Sequence, residues 1–158
     1  MVEIKLSLAE IQVASMVGVQ RQLNYLKHSK GPVFGERPET AWQRHIEGAL
    51  SECALAKHLG VYWNNQAWHL PDVGEVDVRV TSHEQGRLII HDKDLDNKKY
   101  YFLIGVNGHY KVMGWIWGKD GKQQKYWGDP QGTGRPAYFI PMADLNDGPK
   151  KEKHWLDD

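Results

Sequence analysis

The spacing of apolar residues changes partway along the chain, and this change constrains the fold more than any other feature. Apolar side chains recur at intervals of three and four over residues 8–26 and again over residues 42–59, which predicts two helices. Ser7 followed by Glu10 has the capping-box pattern that begins a helix, and Gly60 is the kind of residue that ends one. The N-terminal part of the chain is therefore predicted to be helical.

From about residue 61 onward the chain carries strand and turn signals instead. Residues 75–81 alternate strictly between polar side chains and valines, as a half-buried strand does. Asn107–Gly108 predicts a hairpin turn. Further strands are predicted at short apolar segments, namely residues 88–90, 100–106, 110–117 and 137–140. Helices followed by strands predict an α+β domain, with two N-terminal helices packed on a mixed, largely antiparallel β-sheet.

Length and composition favour one ordered domain. The 158 residues are assigned to a single domain over residues 1–145 and a flexible charged tail over residues 146–158. Apolar residues make up 41% and charged residues 25%, so the chain can build both a core and a solvated surface. No apolar stretch approaches the roughly 20 residues of a membrane-spanning helix. No basic and apolar leader opens the sequence, so we expect a cytoplasmic protein with no membrane contact.

Charge and cysteine content narrow the function classes. The chain has 20 basic and 20 acidic residues, which argues against a protein that coats nucleic acid by bulk charge. A nuclease is still compatible with this balance, because an acidic metal site and basic contact loops offset each other. The single cysteine, Cys53, excludes an internal disulfide and a thiolate zinc cage.

The segment of residues 71–79 carries the chemistry. Asp72 is predicted to lie where the chain begins a strand, and Asp77 and Arg79 share one face of that strand. A third acid, Glu52, lies on the preceding predicted helix. Three carboxylates that converge on one end of a sheet bind a hard divalent cation such as Mg²⁺. Such a cation polarises a phosphate and acidifies a water, which suits hydrolysis of a phosphodiester.

These residues resemble the motif of the PD-(D/E)XK nuclease superfamily, and the rest of the chain resembles a group of small phage-encoded proteins of that superfamily. The resemblance spans most of residues 10–145 and is carried by residues 45–52, 72–74, 78–79, 114–116 and 136–141. It implies a restriction-endonuclease-like fold and a Mg²⁺- or Mn²⁺-dependent nuclease that acts on DNA, in the host cytoplasm if the chain is phage-encoded. Many enzymes of this architecture pair up, so a homodimer is left open.

The resemblance also implies a role for each residue. Asp72 and Asp77 are metal ligands, assisted by the backbone carbonyl of Val78, and Glu52 is a ligand or orients a water. Arg79 occupies the position of the motif lysine, which is the departure that matters. Arginine stays protonated at working pH and cannot act as a base, although it can clamp a phosphate oxygen and stabilise transition-state charge.

The departure leaves an alternative function open, and each acid has a plainer interpretation. The alternative is a catalytically impaired protein of nuclease fold that serves as a nucleic-acid-binding or phage accessory module; a structural phage protein without a ligand is a third. Asp72 could be a turn residue, Asp77 and Arg79 a solvated strand face, and Glu52 an exposed helix residue. The position of Glu52 between alanines at spacings of three and four favours a side that faces the sheet.

Residues that contact nucleic acid are predicted in two places. His45 lies two helical turns before Glu52 and is placed in the cleft, although a packed or capping histidine is an equal alternative. A basic loop with aromatic residues could track a phosphate backbone or be merely solvated. Its candidate residues are Lys119, Lys122, Lys125 and Arg135.

Overall fold

The structure is a computed structural model that describes residues 2–28, 38–65 and 72–148. Within these residues it has three α-helices and seven strands. Their bounds, in chain order, are β1 Val2–Lys5, α1 Leu8–His28, α2 Ala41–Leu59, β2 Val76–Thr81, β3 Leu88–Ile90, β4 Lys99–Val106, β5 His109–Trp117, α3 Gly118–Gly121, β6 Trp127–Gly128 and β7 Ala137–Ile140.

Local signals fix the ends of the two long helices. The Ser7 hydroxyl accepts from the Glu10 amide at 3.2 Å, and the Glu10 carboxylate accepts from the Ser7 amide at 3.0 Å. This reciprocal pair is the predicted capping box at the start of α1. Gly60 ends α2 in the left-handed conformation with φ 66°, and its amide donates to Lys57 O. Both helix predictions are confirmed.

The strands form two sheets rather than one. A four-stranded mixed sheet has the order β1-β5-β4-β2, in which only the β2–β4 pair is parallel, and a three-stranded antiparallel sheet has the order β3-β7-β6. Asn107 and Gly108 both have positive φ in the β4–β5 turn, as the predicted two-residue hairpin requires. The α+β class and the mixed sheet are confirmed, while the prediction of a single sheet is corrected to two.

Two core clusters separate the chain into layers. One lies between the long helices and the four-stranded sheet and includes Leu50, Leu55, Val78 and Leu103. The other contains alternate residues of β4 with Leu88 and Ile90 of β3 and Ile140 of β7, and so lies between the two sheets. Because side chains alternate along a strand, β2 turns its valines to the helices and its polar residues to the second sheet. This alternation decides where each candidate site residue can reach.

One strand was not predicted, and some predictions lie outside the described residues. β1 was not predicted, although Ile4 is buried in the first core cluster and β1 pairs with β5. The predicted end of the first helix near residue 31 lies outside the described residues, and most of the predicted tail, residues 149–158, does too. Within the described part of the chain, no helix has the length and apolar character needed to span a bilayer.

Gly18 allows α1 and α2 to approach closely. A Cβ at this position would lie 2.5 Å from Ile46 Cα and 2.7 Å from His45 O, and backbone atoms cannot rotate away. We therefore expect Gly18→Ala to lower the free energy of unfolding by about 1–3 kcal/mol, as overpacked cores do. The measurement is urea denaturation of the purified variant against wild type.

Gly48→Ala is the matched control, because Gly48 lies in α2 and a Cβ added there would meet no atom within 4 Å. We expect it to raise the free energy of unfolding by up to about 1 kcal/mol through helix propensity alone. Equal stabilisation by both alanines would show that the helices do not depend on close approach at Gly18.

Candidate functional site

Glu52 is buried and held in a fork by Arg21. The two guanidinium nitrogens donate to its two carboxylate oxygens at 2.7 and 2.9 Å, and Trp63 Nε1 donates to Oε2 at 3.1 Å. Glu52 is 7% exposed, and the flanking alanines on its side of α2 are buried too. The predicted inward orientation of Glu52 is therefore confirmed. Its carboxylate is already neutralised by a planar, bidentate partner.

Asp72 lies just before β2 with a partly buried carboxyl group. Its Oδ2 accepts from the Val78 amide at 2.9 Å, and no Lys, Arg or His among the described residues forms an ion pair with it. Burial, followed by the charge of Glu52, raises the pKa of Asp72 to about 6, and Asp77 adds to the rise. Three carboxylates thus influence one another here, and among the described residues Asp72 is the one of the three without an ion-pair partner.

Asp77 is bound to the same junction of loop and strand. Its Oδ1 accepts from the Asp72 amide at 3.1 Å, and its Oδ2 forms an ion pair with Lys98 Nζ at 3.2 Å. Lys98 directly precedes β4, and since β2 and β4 are parallel neighbours, Lys98 lies beside the start of β2. The side chains of Asp77 and Lys98 are 17% and 18% exposed, so this pair is largely sheltered from water.

Arg79 connects the two sheets. Its Nε donates to Ile89 O at 3.2 Å, and its Nη2 pairs with Asp94 at 2.9 Å. Its guanidinium lies 4.9 Å from the centre of the Tyr100 ring. A further, weaker contact of 3.5 Å joins Nη1 to the Val78 carbonyl, which is the predicted backbone metal ligand.

The predicted residues meet in part. Asp72 and Asp77 adjoin each other, while Asp77 and Arg79 face the second sheet and Glu52 approaches from the helix side. Over residues 2–28, 38–65 and 72–148, no three His, Cys, Asp or Glu side chains form a group that could hold a metal ion. The structure therefore does not assemble a three-carboxylate cage, and the role of Glu52 as a ligand stays a prediction.

The donor chemistry of Asp72 and Asp77 fits a magnesium ion that keeps much of its water. Mg²⁺ is usually bound through one or two carboxylates and completed by water and substrate phosphate rather than by a protein cage. Asp72 supplies a carboxyl group with no cationic partner among the described residues, and Asp77 supplies one paired only with Lys98. These two aspartates are the residues that would hold the ion.

His45 is partly buried, and the cationic side chains of Arg44 and Arg21 lie near it. Its Nε2 lies 3.3 Å from Arg44 Nη2, and its ring centre is 6.1 Å from that of Tyr25. Burial, followed by the charges of Arg44 and Arg21, lowers the pKa of His45. The imidazole is therefore neutral at neutral pH, and its predicted contact with nucleic acid would be that of a neutral donor or acceptor.

The basic loop is partly used for its own structure. Lys122 pairs with Asp96 at 2.7 Å and donates to the carbonyls of Asp92 and Asp94, which fastens the loop before β4. Lys125 Nζ lies 4.8 Å from the centre of the neighbouring Tyr126 ring. Lys119 and Arg135 have exposed side chains. Lys122 therefore stabilises the fold through its ammonium group, which leaves that group less available to nucleic acid.

Two functional candidates escaped prediction from the sequence. Arg21 and Lys98 neutralise two of the three acids, yet they lie 31 and 21 residues away from their partners. The parallel pairing of β2 with β4 places Lys98 near Asp77. The spacing of residues in the sequence does not reveal that pairing, so it gave no signal for Lys98.

Comparison with protein-family models, with curated proteins and with solved structures finds no match for this chain. The resemblance to PD-(D/E)XK nucleases therefore stays a prediction, and the functional argument depends on the geometry of the site.

Proposed function

We propose that this chain is a metal-dependent nuclease that hydrolyses DNA phosphodiester bonds, with a fold of the restriction-endonuclease type as in small phage-encoded members of that superfamily. Asp72 and Asp77 bind the Mg²⁺ or Mn²⁺ ion. Glu52 is the predicted third acid, and Arg21 must release it before it can take part.

The observation that carries this proposal is the partly buried carboxyl group of Asp72, which has no ion-pair partner among the described residues. A buried acid whose pKa is raised to about 6, beside two further carboxylates, is costly to keep ionised. Perturbed carboxyl groups of this kind cluster at functional sites. A divalent cation relieves the repulsion, because it places positive charge between acids that otherwise oppose each other.

The cation supplies positive charge at the phosphate and lowers the pKa of a water towards neutrality. The protein positions the two carboxyl groups that bind the cation. Asp72 and Asp77 are held relative to each other by the Asp72 amide, which donates to Asp77 Oδ1 at 3.1 Å. The Val78 amide fixes Asp72 in turn, so the two carboxyl groups move as one unit.

Lys98 and Arg79 divide the work expected of the single motif lysine. Lys98 Nζ lies 3.2 Å from Asp77 and can donate to a phosphate oxygen once that carboxylate turns to the metal. Arg79, on the same face of β2, pairs with Asp94 and donates to Ile89 O, so its position is fixed. The absence of lysine at position 79 therefore does not leave the site without a flexible ammonium group.

The test is cleavage of supercoiled plasmid and of a labelled oligonucleotide by the purified chain in Mg²⁺, in Mn²⁺ and in EDTA. We expect metal-dependent cleavage that falls at least 100-fold in Asp77→Asn, a change that keeps the shape of the side chain but removes its charge. Asp120→Asn, an exposed acid of α3, is the control and should cleave like wild type. Equal cleavage by the Asp77 variant would contradict the proposal.

A nucleic-acid-binding module without catalysis is the second candidate. It is favoured by one observation, the commitment of Arg79 at the motif-lysine position to Asp94, Ile89 and Tyr100. Binding of DNA by a folded wild-type chain that cleaves with neither metal would support this candidate over the nuclease.

A further inference from the structure

A positively charged cleft of about 800 Å³ opens on the polar face of β2. Arg79 belongs to its wall, and other lining residues come from the turn after β2, from β3, β4 and β7, from the start of α2 and from the loop that precedes β7. No Asp or Glu is among its lining residues within the described chain. Five basic residues line it: Arg44, Arg79, Arg87, His83 and His91.

The charges of the cleft are not all used within the fold. Arg79 is paired with Asp94, but the exposed Arg87 forms no ion pair with any described residue. The His83 and His91 side chains are exposed as well. Because no Asp or Glu is among the described lining residues, the charge of Arg87 is a local excess of positive charge in a chain whose net charge is zero. Such a lining fits an anionic ligand.

The cleft also offers apolar surface between its charges. Ile89 and Phe139, which are paired across β3 and β7, are both partly exposed and both line it. On the opposite rim, Pro130 and Gln131 lie in a turn that Asp129 fixes by accepting from the amides of Thr133 and Gly134. Charged groups that track a backbone, combined with an aromatic platform, are the features of single-strand binding sites.

We propose that this cleft binds single-stranded nucleic acid, with Arg87 on a backbone phosphate and Phe139 against a base. Its volume lies within the roughly 300–1,000 Å³ of pockets for small ligands, which is room for one or two nucleotides of a strand. The choice of nucleic acid as the anion rests on the proposed function. It names the form of the substrate, which neither the motif nor the acids specify.

The cleft leads to the candidate acids. Arg79 and Asp77 are two residues apart on the same face of β2, a separation of about 7 Å along a strand. A strand seated against Arg87 and Arg79 therefore extends its next phosphate towards Asp77 and Lys98. The segment that carries the predicted contact residues Lys119, Lys122 and Lys125 contributes Pro130 and Gln131 to this cleft but none of those lysines.

The test measures binding of a fluorescent eight-nucleotide thymidine oligomer in EDTA, where metal-dependent cleavage cannot occur, by anisotropy at several salt concentrations. Each phosphate contact on a single strand contributes about −0.7 to the slope of log K against log salt. We expect Arg87→Gln to weaken binding at least fivefold at 0.1 M salt and to reduce the magnitude of that slope by about 0.7. Lys5→Gln is the charge-matched control and should match wild type, because Lys5 is exposed on β1, at the edge of the four-stranded sheet opposite β2.

Other outcomes separate the possibilities. Tighter binding of a matched duplex than of the single strand, unchanged binding by Arg87→Gln, or no binding by wild type would each overturn the proposal. Weakening by Lys119→Gln alone would move the site to the basic loop and overturn it too. Plasmid cleavage by wild type together with unchanged oligomer binding by Arg87→Gln would reject this cleft and leave the nuclease proposal intact. Oligomer binding that depends on Arg87, without plasmid cleavage, would reject the nuclease proposal and leave the cleft.

Discussion

Arg21→Met is expected to lower the free energy of unfolding by about 3 kcal/mol at neutral pH, since it leaves a buried carboxylate without its cation. Arg21 fills both oxygens of Glu52 at 2.7 and 2.9 Å, and Glu52 is 7% exposed. Methionine keeps much of the arginine's apolar length, so the loss reports the charge rather than the packing. Urea denaturation of both proteins at pH 7.5 measures it.

Two further variants establish the cause. Glu52→Gln added to Arg21→Met removes the stranded charge and should recover most of the lost stability. Lys111→Met breaks an exposed pair, 3.7 Å from Glu84, and should cost less than about 0.5 kcal/mol. A loss of less than 1 kcal/mol in Arg21→Met, or a double variant no more stable than the single one, would contradict the expectation.

The same variant tests the prediction that Glu52 is a metal ligand. Arg21 and a divalent cation compete for this carboxylate, so removal of Arg21 leaves it open. Millimolar Mg²⁺ should then raise the stability of Arg21→Met more than that of wild type, because a ligand that binds only the folded state stabilises it. Equal shifts in the two proteins would remove Glu52 from the ligand set.

Asp72→Asn is expected to move stability and activity in opposite directions. The folded-state pKa of Asp72 is about 6, above its ordinary value of 3.8. The folded chain therefore holds this proton more tightly than the unfolded chain, and the stability it contributes is present below pH 4 and lost as pH rises through 6. Asparagine carries no charge at any pH, so the variant avoids this loss.

The expected result is a variant more stable than wild type by about 3 kcal/mol at pH 8 and equal to it at about pH 3. Metal-dependent cleavage should be lost, because the amide supplies no negative charge. Urea denaturation of both proteins between pH 3 and pH 8 gives the difference, from which the titration of groups that do not interact with Asp72 cancels. Glu75→Gln removes an exposed carboxylate nearby and is the matched control, whose free energy of unfolding at pH 8 should lie within about 0.5 kcal/mol of wild type. A less stable Asp72→Asn at pH 8 would contradict the argument.

The fold was predictable where its causes are local. The capping box of Ser7 and Glu10, the glycine that ends α2 and the Asn107–Gly108 turn act within a few residues, and each forms as predicted. The division into two sheets was not predictable, because it depends on which strands pair. β3 pairs with β7, and their nearest ends are separated by 46 residues that contain β4 and β5.

The site was predictable to the same extent. The alternation of residues 75–81 correctly placed Asp77 and Arg79 on one face. It could not show which layer that face meets, so it placed Glu52 beside them although Glu52 approaches from the helices. The cations that neutralise these acids come from α1 and from the start of β4, and only the tertiary structure brings them near.

The contacts of Arg79 have a consequence for the substitution of lysine at this position. A lysine ammonium lacks the planar fork that lets one side chain reach Ile89 O, Asp94 and the Tyr100 ring together. Lysine at position 79 would therefore loosen the contact between the two sheets. The packing of one sheet on the other thus depends on the shape of a single cation, and not only on its charge.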